Sequence, residues 1–260
     1  MPEGQPLAGK HALVTGGGRG IGYAIAHDLL ALGAHVTITG RNPETLTRAK
    51  GSLDAGDRLA TVTGDVSDRA SLDTTFARAR EHFGSIAILV NNAGQASSAG
   101  FSRIDDALWQ RMLDVNLTGT FLGTQNALPD MLAANWGRIV NVASTAGLRG
   151  YAYVAAYCAA KHGVIGLTRA LALELATKGV TVNAVCPGYT ETDIVKETVE
   201  KVMKKTGRSE AEARAELTKF NPQGRLVTSE EVAEAVAWLC LPGSASVTGQ
   251  SIAIAGGEVM

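Results

Sequence analysis

Seven short runs rich in apolar and β-branched residues recur along the chain, and most are followed by a longer stretch with helical spacing. The runs cover residues 11–15, 34–39, 58–64, 86–92, 137–144, 180–187 and 251–257, and helical periodicity occupies 20–32, 43–53, 68–83, 105–134, 153–178 and 229–241. Strands that are apolar almost throughout must be covered on both faces, and strands separated by helices join through parallel crossovers. The pattern therefore predicts an α/β fold, a doubly wound seven-stranded parallel sheet with helices on both faces. These elements leave no room for a second core, so residues 1–260 are read as a single domain. One stretch breaks the rhythm: residues 190–222 form a charged helical excursion after the sixth run. Ligands of open α/β sheets bind beyond the carboxyl ends of the strands, so this excursion is expected to be a substrate lid.

Charge and composition narrow the partners. Twenty-four Lys and Arg residues against 25 Asp and Glu give a formal net charge of -1, which argues against a nucleic-acid or anionic-membrane surface. The opening sixteen residues lack a hydrophobic signal core and no apolar run approaches a membrane span, so a soluble cytoplasmic protein is expected. Cys158, Cys186 and Cys240 have no metal-ligand spacing and read as buried thiols. His11, His27, His35 and His82 share no ligand spacing either, and no metal is expected.

The first run passes directly into TGGGRGIG at 15–22 and then into a helix. Glycines at 16, 20 and 22 permit a tight turn and close approach of backbone to a pyrophosphate, while the helix N-terminus offers free N–H groups. Residues Gly16, Gly18, Arg19, Gly20, Ile21 and Gly22 are thus the candidate dinucleotide cradle. NAD enzymes place a carboxylate at the end of the second strand to hold the ribose hydroxyls. Here that position is Gly40, followed by Arg41. A guanidinium suits a 2′-phosphate, so NADP(H) is favoured, with NAD(H) as the alternative.

Ser144 ends the fifth run, and Tyr157 and Lys161, four apart, share one face of the next helix. Together with Gly-x-x-x-Gly-x-Gly at 16–22, GDV at 64–66, NNAG at 91–94, Asn116 and PG at 187–188, this Ser…Tyr-x-x-x-Lys series resembles the short-chain dehydrogenases/reductases over essentially the whole chain. The resemblance implies a Rossmann fold in which Asp65 and Val66 flank the adenine and Asn92, Ala93 and Gly94 support the cofactor and the fourth strand. It adds Pro187, Gly188, Thr190, Thr192, Tyr157 and Lys161 to the cofactor contacts and makes Arg19 a second phosphate partner. It also implies roles at the reacting centre: Tyr157 as acid, Ser144 holding the carbonyl oxygen, Lys161 binding the nicotinamide ribose, and Asn116 holding a water behind the lysine. The chemistry favours such residues, because hydride arriving at a carbonyl carbon leaves an alkoxide that must be protonated. A phenol of ordinary pKa near 10 is a reluctant donor, and Lys161 with the cationic nicotinamide is expected to lower it.

The substrate pocket is expected to draw on Gln95, Ala96, Ser144, Thr145, Ala146, Leu148, Tyr151, Val154, Tyr157 and Tyr189. Tyr153 is expected at its entrance, while Cys158 and His162 are read as helix neighbours without a chemical role. Apolar and neutral side chains suit a neutral carbonyl better than a small anion. The chain is similar to 3-oxoacyl-ACP reductases, acetoacetyl-CoA reductases and polyketide ketoreductases, which implies reduction of a 3-oxoacyl thioester or related ketone with NADP(H). The alternatives are an NAD-dependent 3-hydroxyacyl-CoA, 3-hydroxybutyrate or other secondary-alcohol dehydrogenase and, from a different class, a non-catalytic cofactor-binding regulator. The helices at 105–134 and 153–178 and the C-terminal segment resemble the family's interfaces, implying a homotetramer.

Overall fold

The computed structural model describes residues 4–260. Its seven strands are β1 (His11–Thr15), β2 (His35–Gly40), β3 (Leu59–Thr63), β4 (Ile86–Asn91), β5 (Gly137–Val142), β6 (Val180–Pro187) and β7 (Ser251–Ile254). They form one sheet in the order β3-β2-β1-β4-β5-β6-β7. Every pairing is parallel. The order reverses between β1 and β4, which opens a crevice at their carboxyl ends.

The helices are α1 (Gly20–Ala31), α2 (Pro43–Leu53), α3 (Arg69–Phe83), α4 (Asp106–Leu113), α5 (Gly119–Ala133), α6 (Ala155–Leu175), α7 (Asp193–Thr206), α8 (Glu210–Thr218) and α9 (Ser229–Cys240). All residues of β1, β5 and β6 are buried, as strands covered on two sides must be. Neighbouring residues then serve opposite cores. Val14, Val90 and Val140 pack with Ile25 and Leu29 of α1 and Val232 and Val236 of α9. Leu13, Leu89 and Ile139 face Phe76 of α3, Leu122 and Met131 of α5, and Leu175 of α6. The period-two alternation of an extended strand, applied to a uniformly apolar sequence, produces the doubly wound arrangement.

Two segments depart from simple periodicity. The helical pattern over 105–134 is divided by a π-helical turn at Asp114–Thr118, between α4 and α5. Asn116 lies in that turn, and its side-chain amide donates to Met112 O at 3.0 Å and to Gln95 O at 2.9 Å. The 190–222 excursion folds as α7 and α8, which share a small cluster of their own built on Val195, Val199, Ala213 and Leu217. A capping box between Ser209 and Glu212 starts α8. An isolated bridge of Thr190 with Val227 closes the base of the excursion. Among the described residues no helix is long and apolar enough to cross a membrane.

Candidate active site

The crevice begins at the end of β1. Gly16 has φ +66°, and a side chain there would bring Cβ to 3.0 Å from Ala93 Cα. A Cβ on Gly22 would lie 2.3 Å from Gly16 O, so only glycine lets the loop fold back against α1. Arg19 precedes α1 in extended conformation and no side chain caps the helix, whose first N–H groups remain available to an anion. The start of the loop is clamped from β4. Thr15 Oγ1 accepts the N–H groups of Asn92 and Ala93, each at 3.0 Å. Asn92 Nδ2 donates to Thr15 O at 2.9 Å and Gly16 O at 3.2 Å. The side chain of Asn92 therefore braces the cradle from behind. Across the crevice, Thr192 packs on the loop, its Cγ2 lying 3.3 Å from where a Cβ of Gly20 would stand. Thr190 is buried and donates to Gly188 O at 3.0 Å. Gly18 in the loop and Ile21 in the first turn of α1 are half-buried, and Gly188, after Pro187 at the end of β6, donates to Ile254 O.

At the far end, Gly40 closes β2 with no carboxylate, and Arg41 beside it is exposed. Burial alone would raise the Asp65 carboxyl, but hydrogen bonds from the Ser67 hydroxyl and amide and the charge of Arg41 outweigh it and hold the group below its ordinary value. Ser67 Oγ donates to Asp65 Oδ1 at 2.7 Å. Val66 leans on the first turn of α5, its backbone oxygen 3.0 Å from a Cβ at Gly119.

Four residues meet between β4, β5 and α6. Ser144 follows β5 in extended conformation, and its Oγ accepts Ala146 N–H at 3.1 Å. Its hydroxyl also hydrogen-bonds Tyr157, which pulls the phenol pKa down against burial. Lys161, one turn further along α6, is 4% exposed and donates from Nζ to Val142 O at 2.8 Å. Its Nζ lies 5.7 Å from the centre of the Tyr157 ring. Gly94 sits over both Lys161 and Asn116: a Cβ there would be 3.7 Å from Lys161 Nζ and 2.9 Å from Asn116 Oδ1. Asn116 is 1% exposed, and Oδ1 accepts Gln95 N–H at 3.2 Å.

Before any cofactor charge is added, burial dominates the electrostatics of this cluster. The phenol of Tyr157 is not lowered in the chain alone; burial pushes it up to about 12 and outweighs the Ser144 bond. Burial likewise brings the Lys161 ammonium down to about 8. Desolvation penalises the charged form of each group, and Lys161 directs a proton to a backbone carbonyl.

Of the expected substrate residues, Ala146 is buried beside Ser144, and Leu148 packs on the cluster of Val164 and Ile165 below it. Gln95 and Val154 are half-buried, Ala96 is exposed, and Tyr189 is exposed at the mouth. Tyr153, at φ +69° and exposed, stands on the rim. Tyr151 is more than an apolar wall: its hydroxyl lies 2.9 Å from Thr145 Oγ1 and 2.5 Å from Glu258 Oε1. His162 is exposed and bonds the Cys158 carbonyl, and Cys158 is buried.

A chain of polar side chains under the site was not anticipated. Asn91 Nδ2 donates to Asn141 Oδ1 at 2.9 Å and to Thr124 Oγ1 at 3.2 Å. Asn141 Nδ2 in turn donates to Thr168 Oγ1 at 2.9 Å. It ties α5, β4, β5 and α6 together, and the visible signal was one asparagine inside each of two apolar strands.

Fold and crevice define a Rossmann-type oxidoreductase. Residues 10–203 match the model of the short chain dehydrogenase family, and the chain belongs to that family. The chain is thereby an oxidoreductase of the short chain dehydrogenase family, and dehydrogenases are named among its relatives. A 3-oxoacyl-(acyl-carrier-protein) reductase of Aquifex aeolicus is 39% identical over 96% of this chain and 98% of its own length. A D-beta-hydroxybutyrate dehydrogenase of Cupriavidus necator is 38% identical over 97% of this chain and 99% of its own. A solved variant of the actinorhodin polyketide ketoreductase, crystallised with NADPH, superposes with TM-score 0.92 at 41% identity, covering 96% of this chain and 97% of that one.

Proposed function

We propose that the protein uses NADP(H) to reduce the carbonyl of a 3-oxoacyl thioester or a related ketone. The observation that carries this reading is the convergence of Ser144, Tyr157, Lys161 and Asn116 beneath a glycine cradle whose second strand ends in Gly40-Arg41 instead of an acid. The cradle fits a dinucleotide because Gly16 and Gly22 let the loop fold tightly onto α1, whose N-terminus carries no side-chain cap. Its pyrophosphate would lie against the N–H groups of Gly18 to Gly22 and the adenine against Asp65 and Val66; the 2′-phosphate would meet Arg41 and Arg19. Pro187, Gly188, Thr190 and Thr192 would close the nicotinamide end. The bound nicotinamide supplies the hydride.

The chain's own residues manage the oxygen. Ser144 Oγ accepts the Ala146 N–H, and its hydroxyl, which bonds Tyr157 in the chain alone, would turn to a carbonyl oxygen placed beside both. Tyr157, protonated at neutral pH, gives its proton to that oxygen as it becomes an alkoxide. Lys161 uses one N–H on Val142 O and keeps the others for the ribose hydroxyls and the phenolate left behind. Asn116 braces the Gln95 backbone and fixes the wall against Lys161.

We further propose that α7 and α8 act as the lid over a mainly apolar pocket and that the protein assembles as a homotetramer. The reductase reading is favoured over an NAD-dependent dehydrogenase by the missing acid at Gly40. The test is a panel of acetoacetyl-CoA, longer 3-oxoacyl thioesters and aryl ketones, each with NADPH and with NADH. Efficient NADPH-dependent reduction of the thioesters is expected; a clear preference for NADH and for oxidation of hydroxy acids would overturn the reading.

A further inference from the structure

The C-terminal tail brings a carboxylate to the substrate side of the reacting centre. Glu258 is half-buried, and its Oε2 lies 3.1 Å from where a Cβ of Gly188 would stand. Its Oε1 lies 2.5 Å from the Tyr151 hydroxyl, across 107 positions of sequence. A carboxylate accepts hydrogen bonds and cannot donate, so the Tyr151 proton points to Glu258. Thr145 Oγ1, 2.9 Å away, must then donate to the Tyr151 oxygen. The chain Thr145–Tyr151–Glu258 thereby joins the residue after Ser144 to the tail. The exposed Tyr189 phenol also feels Glu258, since burial and then that charge raise its pKa.

Two cations lie against neighbouring rings. The Arg149 guanidinium is 5.0 Å from the Tyr151 ring centre and 5.6 Å from that of Phe220. Lys219 lies over Phe220 at 4.9 Å and pairs with Glu216 at 2.8 Å. Among the described residues no Lys or Arg nitrogen comes within 4.0 Å of the Glu258 carboxylate, the limit for an ion pair.

We propose that Glu258 is a specificity-determining residue, a carboxylate docked on Tyr151 that repels a negative charge borne on the acyl end of a substrate and reserves the reacting centre for a neutral acyl group. The inference deepens the reductase reading and rests on its location of the substrate pocket. It gives a physical basis for discriminating a neutral 3-oxoacyl group from the free oxo or hydroxy acid of the same length.

The test compares ethyl acetoacetate with acetoacetate, using the full chain and NADPH. The measured quantity is the ratio of kcat/KM for the acid to that for the ester. Removing one charge from a half-buried site should raise this ratio about tenfold in Glu258→Gln, chiefly through a lower KM for the acid. Glu258→Asp, which keeps the charge, should stay within about threefold of the parent ratio. A ratio that moves less than about twofold in Glu258→Gln, or that rises equally in both variants, overturns the proposal. If the parent chain reduces neither compound, the thioesters of the panel decide the 3-oxoacyl reading. The comparison is then made with the best ketone of the panel and its carboxylate-bearing analogue, and the same ratios decide the role of Glu258.

Discussion

Tyr157 keeps its proton more firmly in this chain than a free phenol does, because burial raises it to about 12 while the Ser144 bond offsets only part of the cost. The group holds its proton at neutral pH but gives it up less readily than a free phenol, so lowering of its pKa would fall to Lys161 and the charge of a bound cofactor. Replacing Tyr157 with Phe removes that proton and should lower kcat by about a thousandfold, while titration of NADPH fluorescence shows cofactor binding largely retained. Arg41 is a separate case, exposed and acting by charge at the other end of the crevice. Arg41→Ala should reduce kcat/KM with NADPH by about tenfold and leave the value with NADH nearly constant. Tyr157 was legible through the family resemblance, to which spacing added a helical face shared with Lys161, and Arg41 through its place after Gly40 at the end of a strand. The proton affinity of Tyr157 was not: burial by the surrounding elements sets its sign, and the chain spacing carries no information about it.

Strands and helices meet their expected positions wherever the apolar pattern is continuous, and depart from it where a side chain competes with the backbone. Asn116 shows the departure, since its amide bonds Met112 O and Gln95 O inside a π turn that periodicity read as plain helix. The beginning of β1 shows how tightly neighbouring elements are keyed. His11 is 2% exposed; Nδ1 donates to Gly84 O at 2.9 Å, so Nε2 accepts the Thr37 hydroxyl at 2.9 Å. Burial lowers its pKa from 6.5 to about 4, so the unfolded chain takes up a proton at a higher pH than the folded one. Stability supplied by the neutral ring is complete above about pH 6.5 and declines as the pH falls towards 4, by about 3 kcal/mol in all. Urea midpoints measured from pH 7 to pH 4 should therefore fall less steeply for His11→Gln than for the parent chain.

Taken whole, the molecule places its candidate reacting residues beside the reversal of a parallel sheet, next to β4 and β5, and leaves large apolar side chains on the outer helices. Leu173 of α6 is 82% exposed, and Phe121 of α5 and Trp109 of α4 are each 39% exposed. Exposed apolar residues on adjacent helices fit a subunit interface, in keeping with the proposed tetramer. Light scattering should give four times the chain mass, and Leu173→Glu should give a smaller assembly whose chain keeps its helical circular dichroism. Local spacing was sufficient for the strand and helix alternation and for the shared face of Tyr157 and Lys161, because periods of two and 3.6 residues are properties of neighbouring positions, whereas the Ser144, Tyr157 and Lys161 series was read through the family resemblance. The brace of Asn92 on Thr15, the Asn91–Asn141–Thr168 chain and the Glu258 carboxylate on Tyr151 appear only in the folded chain. Each depends on partners far apart in sequence that are brought together by sheet order and burial, and neither quantity is written in the spacing of any single segment.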